Sequence, residues 1–294
     1  MDIRQLHYFI TTVEEKTVTA AAKKLHMTQP PLTMQIHALE EELGCRLFRR
    51  EGRTLVPTDA GKRFYKRASE VLGMCENIKE EMSDYKKGNA GTLRIGVISS
   101  VRGTLFTNSI CEFHKKYPNV KISIHSANTY QLLESLQNNK IDIAITRTPF
   151  SAAKLDIQYL SKERISALGH KKYFKNVTSE NLSMAELSKM PLIVYRRWQK
   201  IIEAAFEAHG YSPNIYCIND DAGMTLLLAE KGLGVGLLHP SAIGKIISSD
   251  MSSYELSEKS LISEIALVCR KRELLPEPAQ LFWDLLKDKT VFKQ

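Results

Sequence analysis

The chain has 294 residues, more than one ordinary domain holds, so two or three folded units are expected. With 43% hydrophobic and 25% charged residues it has the balance of a globular protein, which excludes a mainly disordered chain. The formal net charge of +8, from 41 basic and 33 acidic residues, suits a polyanionic partner but does not identify one. The opening Met1-Asp2-Ile3-Arg4 has no basic-then-apolar run, and no later stretch is long and apolar enough to span a bilayer. A cytoplasmic chain without membrane contact is the expectation. Cys45, Cys75, Cys111, Cys217 and Cys269 are scattered with no Cys-x-x-Cys pair, so neither a zinc site nor a disulfide framework is indicated. Cys217 and Cys269 are left as redox sensors or as buried structural thiols. No cofactor is called for.

Residues 1–57 read as short helices joined by compact turns. Leu6, Phe9, Ile10 and Val13 share one helical face. Thr17 or Thr19 caps a second helix with Ala21, Ala22 and Leu25 inside, and His26-Met27 forms a tight turn. Thr28 is the N-cap expected for a third helix. Gln29-Pro30-Pro31 fits its first turn, where a missing amide hydrogen costs little. Leu32, Ile36, Leu39 and Leu43 form its buried stripe, and Gly44 ends it. Two short helices at such a turn, the second opening with polar side chains, describe a helix-turn-helix. Gly52 followed by Leu55-Val56-Pro57 suggests a short β-wing.

From residue 58 the pattern changes. Ala60, Phe64, Ala68, Val71, Cys75, Ile78, Met82 and Tyr85 recur at alternating steps of four and three, a heptad seam along one long helix. Lys62, Arg63, Glu70, Lys79 and Glu80 keep the other faces soluble. The seam predicts pairing with a second copy, against the alternative of packing on the chain's own domain. Lys86-Lys87-Gly88-Asn89-Ala90-Gly91 breaks the helix as a hinge.

Strands and helices then alternate. Leu93, Ile95 and Val97 alternate as a strand; a helix runs through Leu105, Ile110 and Phe113 to Tyr117-Pro118. A second strand carries Val120, Ile122 and Ile124, a second helix Leu132, Leu133 and Leu136, and 141–145 reads as a strand buried on both faces. After Glu163 come strands at 165–168, 192–195, 215–218 and 235–238 with helices around 199–209 and 223–231, then a strand at 262–268 and a helix at 278–287. Repeated β-α-β units imply parallel-rich sheets, and two α/β lobes with a cleft are the economical arrangement.

On the third helix, the face opposite the buried stripe carries Gln29, Pro30, Thr33, Met34 and His37, with Thr28 at its start. Gln29 suits the N6/N7 edge of adenine, Thr33 a polar or thymine-methyl contact, Met34 a thymine methyl, and His37 a phosphate or purine edge. Arg46, Arg49, Arg50 and Arg53 follow, with Glu51 the only acid among them. Arg50 and Arg53, at the wing, supply charge to phosphates, which carries affinity and no sequence information.

The run Thr19-Ala20-Ala21-Ala22-Lys23-Lys24-Leu25-His26-Met27-Thr28-Gln29-Pro30-Pro31-Leu32-Thr33, then Leu39-Glu40-Glu41-Glu42-Leu43-Gly44 and Leu47-Phe48-Arg49-Arg50, closely resembles the DNA-binding signature of LysR-type transcriptional regulators. Thr58-Asp59-Ala60-Gly61 is similar to the start of that family's linker helix. The resemblance implies an α+β multi-domain chain. An α-rich winged helix-turn-helix would occupy 1–57, and a long linker (dimerisation) helix with its hinge 58–91. A two-lobed α/β effector domain of the periplasmic-binding-protein type would occupy 92–294, with lobe I at 92–162 and 266–294 and lobe II at 163–265. It also implies dimers through the linker helix, commonly assembled into tetramers, on an interrupted inverted repeat of double-stranded DNA near promoters. RNA polymerase is a further partner in that setting. The family often has arginine where this chain has Met34, so an apolar contact replaces a charged one there.

In open α/β lobes, ligands collect where strands end and helix amides are free. Here those places hold Ser99 and Ser100, Asn128 and Thr129, and Arg147 in the first lobe, and Arg196, Arg197 and Asp220 in the second. Arg147 with either Arg196 or Arg197 would clamp a carboxylate, so a small organic anion, with Tyr195 and Trp198 offering an aromatic floor, is the expected effector. The alternative for these arginines is an exposed or inter-subunit ion pair. An enzyme is disfavoured: Gly232-Leu233-Gly234-Val235-Gly236 lacks dinucleotide-loop spacing, and Ser99, Ser100 and Ser241 lack the glycines of a nucleophile elbow. A solute-binding protein would have no use for residues 1–57, and an architectural DNA-bending protein none for a large cleft domain.

Overall fold

A computed structural model describes the chain except residues 53, 87–89, 102–103, 178–180, 244–248 and 288–294, and no side chain at 80–81, 84–86 and 104–105. Arg53, the side chains of Tyr85 and Leu105 and most of the expected hinge thus lie outside the described residues. The chain divides into two compact units, Met1–Lys87 with Gln137–Lys140, and Gly88–Leu136 with Ile141–Gln294.

In the first unit, α1 (Ile3–Glu15) opens with a capping box in which Asp2 accepts the Gln5 amide, and α2 (Val18–Lys24) is capped by Thr17, not Thr19, which receives the Ala20 amide. His26 turns the chain with φ of 52°. Then α3 (Gln29–Leu43) begins, with prolines in its first turn, and ends at Gly44, whose φ of 65° favours glycine. Thr28 holds the N-cap position, yet its hydroxyl makes no capping bond. The core joins Phe9, Ala21, Ala22, Leu32, Ile36, Leu39 and Leu47. The rings of Phe48 and Phe64 each lie 5.0 Å from that of Phe9. Each fully buried Phe or Leu is worth about 1.5–3 kcal/mol. Leu43, expected in the stripe, is 37% exposed. The helix stops beside it, and the inward position one step back on the helical wheel is filled by Glu40, only 6% exposed.

A hairpin follows, β1 (Phe48–Glu51) antiparallel to β2 (Thr54–Pro57), turning at Gly52. This is the expected wing, and the Leu55 amide pins it to Lys16 O at 2.7 Å. The long helix α4 (Asp59–Lys86) comes next. Its heptad seam divides. Ala60 and Phe64 pack on the unit's own core and Ala68 is buried, whereas Val71, Ile78 and Met82 are exposed.

The second unit contains β3 (Thr92–Val97), α5 (Thr104–Lys116), β4 (Lys121–Ser126), α6 (Thr129–Gln137), β5 (Ile143–Arg147), β6 (Asp156–Arg164), β7 (Ser166–His170), β8 (Asn181–Leu182), α7 (Met184–Leu187), β9 (Leu192–Tyr195), α8 (Gln199–Ala208), β10 (Ile215–Asn219), α9 (Ala222–Glu230), β11 (Val235–Leu238), α10 (Pro240–Ile243), β12 (Met251–Leu256), β13 (Ile262–Cys269) and α11 (Glu277–Lys287). One sheet has the order β4-β3-β5-β13-β6, the other β10-β9-β11-β7-β12-β8, and each backs its own apolar core.

Both sheets are mixed, not simply parallel, because β13 returns antiparallel to β5 and β6, and β7 runs antiparallel to β11 and β12. β3 is buried on both faces instead of alternating, since strands and helices cover it on every side. Ile262 pairs with Arg164, so residues 163–164 and 262–265, placed in lobe II from the sequence, belong to the first sheet. The chain therefore passes between sheets at Ile165 and Leu261. Cys269 is buried, which pushes its thiol up to about 12 and leaves little reactive thiolate.

Candidate nucleic-acid interface and interlobe cleft

α3 turns Gln29, Pro30, Met34 and His37 to solvent, with Thr28 just ahead of them, and Met34 is 68% exposed. Thr33 is half-buried, because it neighbours Leu32 on the wheel. Arg50 projects from the wing and makes no ion pair among the described residues, whereas Arg49 pairs with Glu51 at 2.8 Å. His37 is less free than its exposure implies, for its Nδ1 lies 3.1 Å from Arg46 Nη1.

Arg46 leads to the residue that sequence reading missed. Glu40 Oε1 accepts the Leu47 amide at 2.7 Å and the Phe48 amide at 3.1 Å, and Oε2 accepts Arg46 Nη1 at 2.7 Å. Burial alone would raise its pKa, but the bonds from Arg46, Leu47 and Phe48 outweigh it and hold the carboxyl below the ordinary 4.5. The available signal was arithmetic: Glu40 follows Ile36 by four residues and so shares the inner face.

In the second unit, the expected ligand residues separate into those already committed and those still open. Arg147 is 0% exposed and donates to Glu163 at 2.8 Å, Ser241 at 2.7 Å and Ser263 at 3.1 Å. It is a strut inside the first sheet, tied to α10 through Ser241, and not one jaw of a ligand clamp, because Glu163 already neutralises it. Ser241 Oγ is also within reach of Ser100 O at 2.9 Å, so Ser100 takes part through its backbone. His239 Nε2 meets Ser263 Oγ at 2.7 Å. Burial, and then Arg147 and Arg197, push the His239 pKa well down, so the ring stays neutral. Arg196 and Asp220 pair at 2.8 Å with both side chains exposed, a surface ion pair rather than two ligand contacts. Asn128 and Gln131 exchange side-chain bonds at 3.0 and 3.2 Å across the first turn of α6, so the Asn128 amide serves the helix.

Two of the expected residues, Thr129 and Arg197, remain open, whereas Ser99 is already engaged. Ser99 Oγ accepts the Ala222 amide at 3.2 Å, and Ser99 also bonds the buried Tyr195. Thr129 is 1% exposed and its hydroxyl has no partner. Arg197 Nη2 reaches across to Arg147 O at 2.7 Å and Pro149 O at 3.2 Å, while its buried Nε has no partner. Its guanidinium carbon lies 5.5 Å from the Tyr130 ring and 5.4 Å from the Trp198 ring. Among the described residues no carboxylate pairs with Arg197. Burial lowers its pKa, which records the cost of holding a cation there without a counter-ion. Glu163 and Ser263 were missed as partners of Arg147, because no fixed sequence spacing links residues that meet only through sheet pairing.

A reading helix with a wing, a long helix with a bare apolar stripe and a two-lobed unit with an unneutralised cation together define a DNA-binding regulator that carries a small-molecule domain. Residues 3–62 match the bacterial regulatory helix-turn-helix protein, lysR family, and residues 86–290 match the LysR substrate binding domain. The chain belongs to the LysR family, whose members regulate transcription and are not enzymes. It is 31% identical to the HTH-type transcriptional regulator BsdA of Bacillus subtilis (strain 168), over 97% of this chain and 100% of that one. It is 28% identical to the HTH-type transcriptional regulator BenM of Acinetobacter baylyi (strain ATCC 33305 / BD413 / ADP1), over 93% of this chain and 91% of that one. Full-length BenM superposes with a TM-score of 0.57 at 26% identity, over 98% of this chain and 96% of that one. CbnR in complex with its target DNA shares the fold, with a TM-score of 0.70 at 23% identity over 98% and 99% of the two chains.

Proposed function

We propose that this regulator reads promoter DNA as a dimer or tetramer and is controlled by a small organic anion, a carboxylate, held between the two lobes at Arg197. The observation that carries the effector reading is the partly buried guanidinium of Arg197, whose Nε has no partner and which pairs with no carboxylate among the described residues. Of the three arginines considered, Arg147 and Arg196 are already neutralised, by Glu163 and Asp220. Thr129 supplies an unpartnered hydroxyl, and the exposed Tyr130 ring gives an organic body a surface to lie on. Both Nη2 hydrogens of Arg197 hold carbonyls, so a carboxylate gripped with two bonds would take one over, the longer Pro149 contact first.

At the DNA, Gln29 would read adenine, and Met34 and Thr33 thymine methyls. Arg50 and Arg53 would neutralise phosphates. The exposed Val71, Ile78 and Met82 of α4 would be covered by the same stripe of a second copy. Such placement beside promoters would bring RNA polymerase within reach. No helix among the described residues is long and apolar enough to cross a membrane, and the reading places the chain with DNA in the cytoplasm.

Benzoate and benzamide differ little in shape and differ in charge, so they test the anion site. Benzoate at about a hundred times its Kd should stabilise the full chain by about 2.7 kcal/mol in thermal melts. Benzamide should not, and Arg197→Gln should abolish the benzoate effect. Equal stabilisation by both compounds, or an undiminished effect in the variant, rejects the anion reading.

A further inference from the structure

The segment Arg46–Phe48 joins the reading helix to the wing, and it is held from two sides. From α3, Glu40 takes the Leu47 and Phe48 amides and the Arg46 guanidinium. From the start of α4, the Thr58 hydroxyl donates to Arg46 O at 2.7 Å, the Thr58 amide donates to Leu47 O at 2.9 Å, and the hydroxyl accepts the Gly61 amide at 3.0 Å. A Cβ at Gly61 would lie 2.1 Å from Leu47 O, so α4 rests directly on this backbone. One short segment thus takes its position from both the reading helix and the long helix.

We propose that Glu40 and Thr58 form a rigid joint that fixes the angle between the reading helix, the wing and α4, and so sets which half-site spacing a two-headed assembly accepts. Neither residue needs to touch a base. Glu40 is a positioning residue because its carboxylate is spent on the Arg46–Phe48 segment and is turned away from solvent. The alternative roles do not fit. A base-reading glutamate would be exposed, and a core filler would not need two amides and a guanidinium on its oxygens. The spacing consequence rests on the proposed dimer, since a lone head has no spacing to set.

The test has two arms, both on the full-length chain. In the first, hydrogen exchange is followed at Leu47, Phe48 and Gly61 in the DNA-free protein. Glu40→Ala should accelerate exchange about tenfold or more at Leu47 and Phe48, and also at Gly61, which it does not touch. Thr58→Val should do the same in the opposite direction. Glu40→Gln, which keeps a carbonyl oxygen for the two amides, should restore most of the protection. Acceleration confined to each variant's own partners would overturn the joint, whatever the oligomeric state.

In the second arm, duplexes selected from a random pool by the wild-type chain are compared with single half-sites and with spacers changed by about two base pairs. Wild type should discriminate against altered spacers about tenfold. Glu40→Ala and Thr58→Val should hold single half-sites within about twofold of wild type and lose most of the spacer discrimination. Equal loss on half-sites and whole sites would instead make Glu40 part of the reading face. Spacing indifference in the wild type would reject the dimer reading and leave the exchange arm to decide the joint. If Glu40→Ala fails to fold, Thr58→Val carries both arms, with Glu40→Gln as the variant that should keep the joint.

Discussion

The two units use positive charge in opposite ways. In the first, Arg46 and Arg49 stand at the surface in ion pairs with Glu40 and Glu51, and Arg50 stands there with none among the described residues, each screened by water. In the second, Arg147 is buried and Arg197 is partly withdrawn from water, one of them neutralised by Glu163 and the other left without an acid. Surface charge of the first kind gives strength that falls with salt and ignores sequence. Buried charge of the second kind gives selectivity, because only a partner of opposite sign and suitable shape removes the cost of burial. The contrast is between charge that water screens and charge that packing holds.

The sharpest way to break this comparison is Glu163→Ala, which leaves Arg147 buried without its partner. It should cost about 3–5 kcal/mol in chemical denaturation of the second unit's transition. A loss under 1 kcal/mol would mean that water reaches Arg147 and that the buried-strut description is wrong. Next in size is Gln29→Ala, expected to cost about 1–3 kcal/mol on a selected duplex and to relax preference at one base. An equal loss on random DNA would move Gln29 from the bases to the backbone. Arg50→Ala should weaken binding to all duplexes alike and lower the slope of log affinity against log salt by about one. An unchanged slope would remove Arg50 from the phosphates. Smallest is Arg196→Ala: its pair with Asp220 is exposed on both sides, so stability should move by no more than about 0.5 kcal/mol. An abolished benzoate effect in that variant would return Arg196 to the ligand site.

Much of the fold was legible from periodicity, and the failures share a cause. β6 was missed because Asp156–Arg164 interleaves charged and polar residues with few apolar ones, the composition of an edge strand with one face in water. β12 was missed because Ser252, Ser253 and Glu255 interrupt its apolar residues, although it lies inside its sheet between β7 and β8. The strand at 262–268 was read from its apolar residues, but the lobe boundary was drawn inside it at 266, four residues late, because sheet pairing and not hydrophobicity decides which lobe β13 joins. In the site, exposed residues were the readable ones: Gln29, Met34 and Arg50 emerge where a helix or hairpin places them. Arg147 and Glu40 were misjudged or overlooked because a charged residue in a sequence is read as exposed, and both owe their burial to partners far along the chain. Choosing Arg197 over Arg196 needed the Asp220 contact, which no spacing announces.

The paired prolines that open α3 have a consequence for how the polymer is gripped. The first turn of a helix ordinarily offers four unbonded backbone N–H groups, a ready anchor for a phosphate oxygen. Pro30 and Pro31 delete two of them, so the tip of this helix is poor in main-chain donors and leaves its side chains unencumbered by an obligatory anchor. On the reading proposed above, grip would fall to Arg50 of the hairpin, and a single chain segment would be spared from having to hold and to read at once.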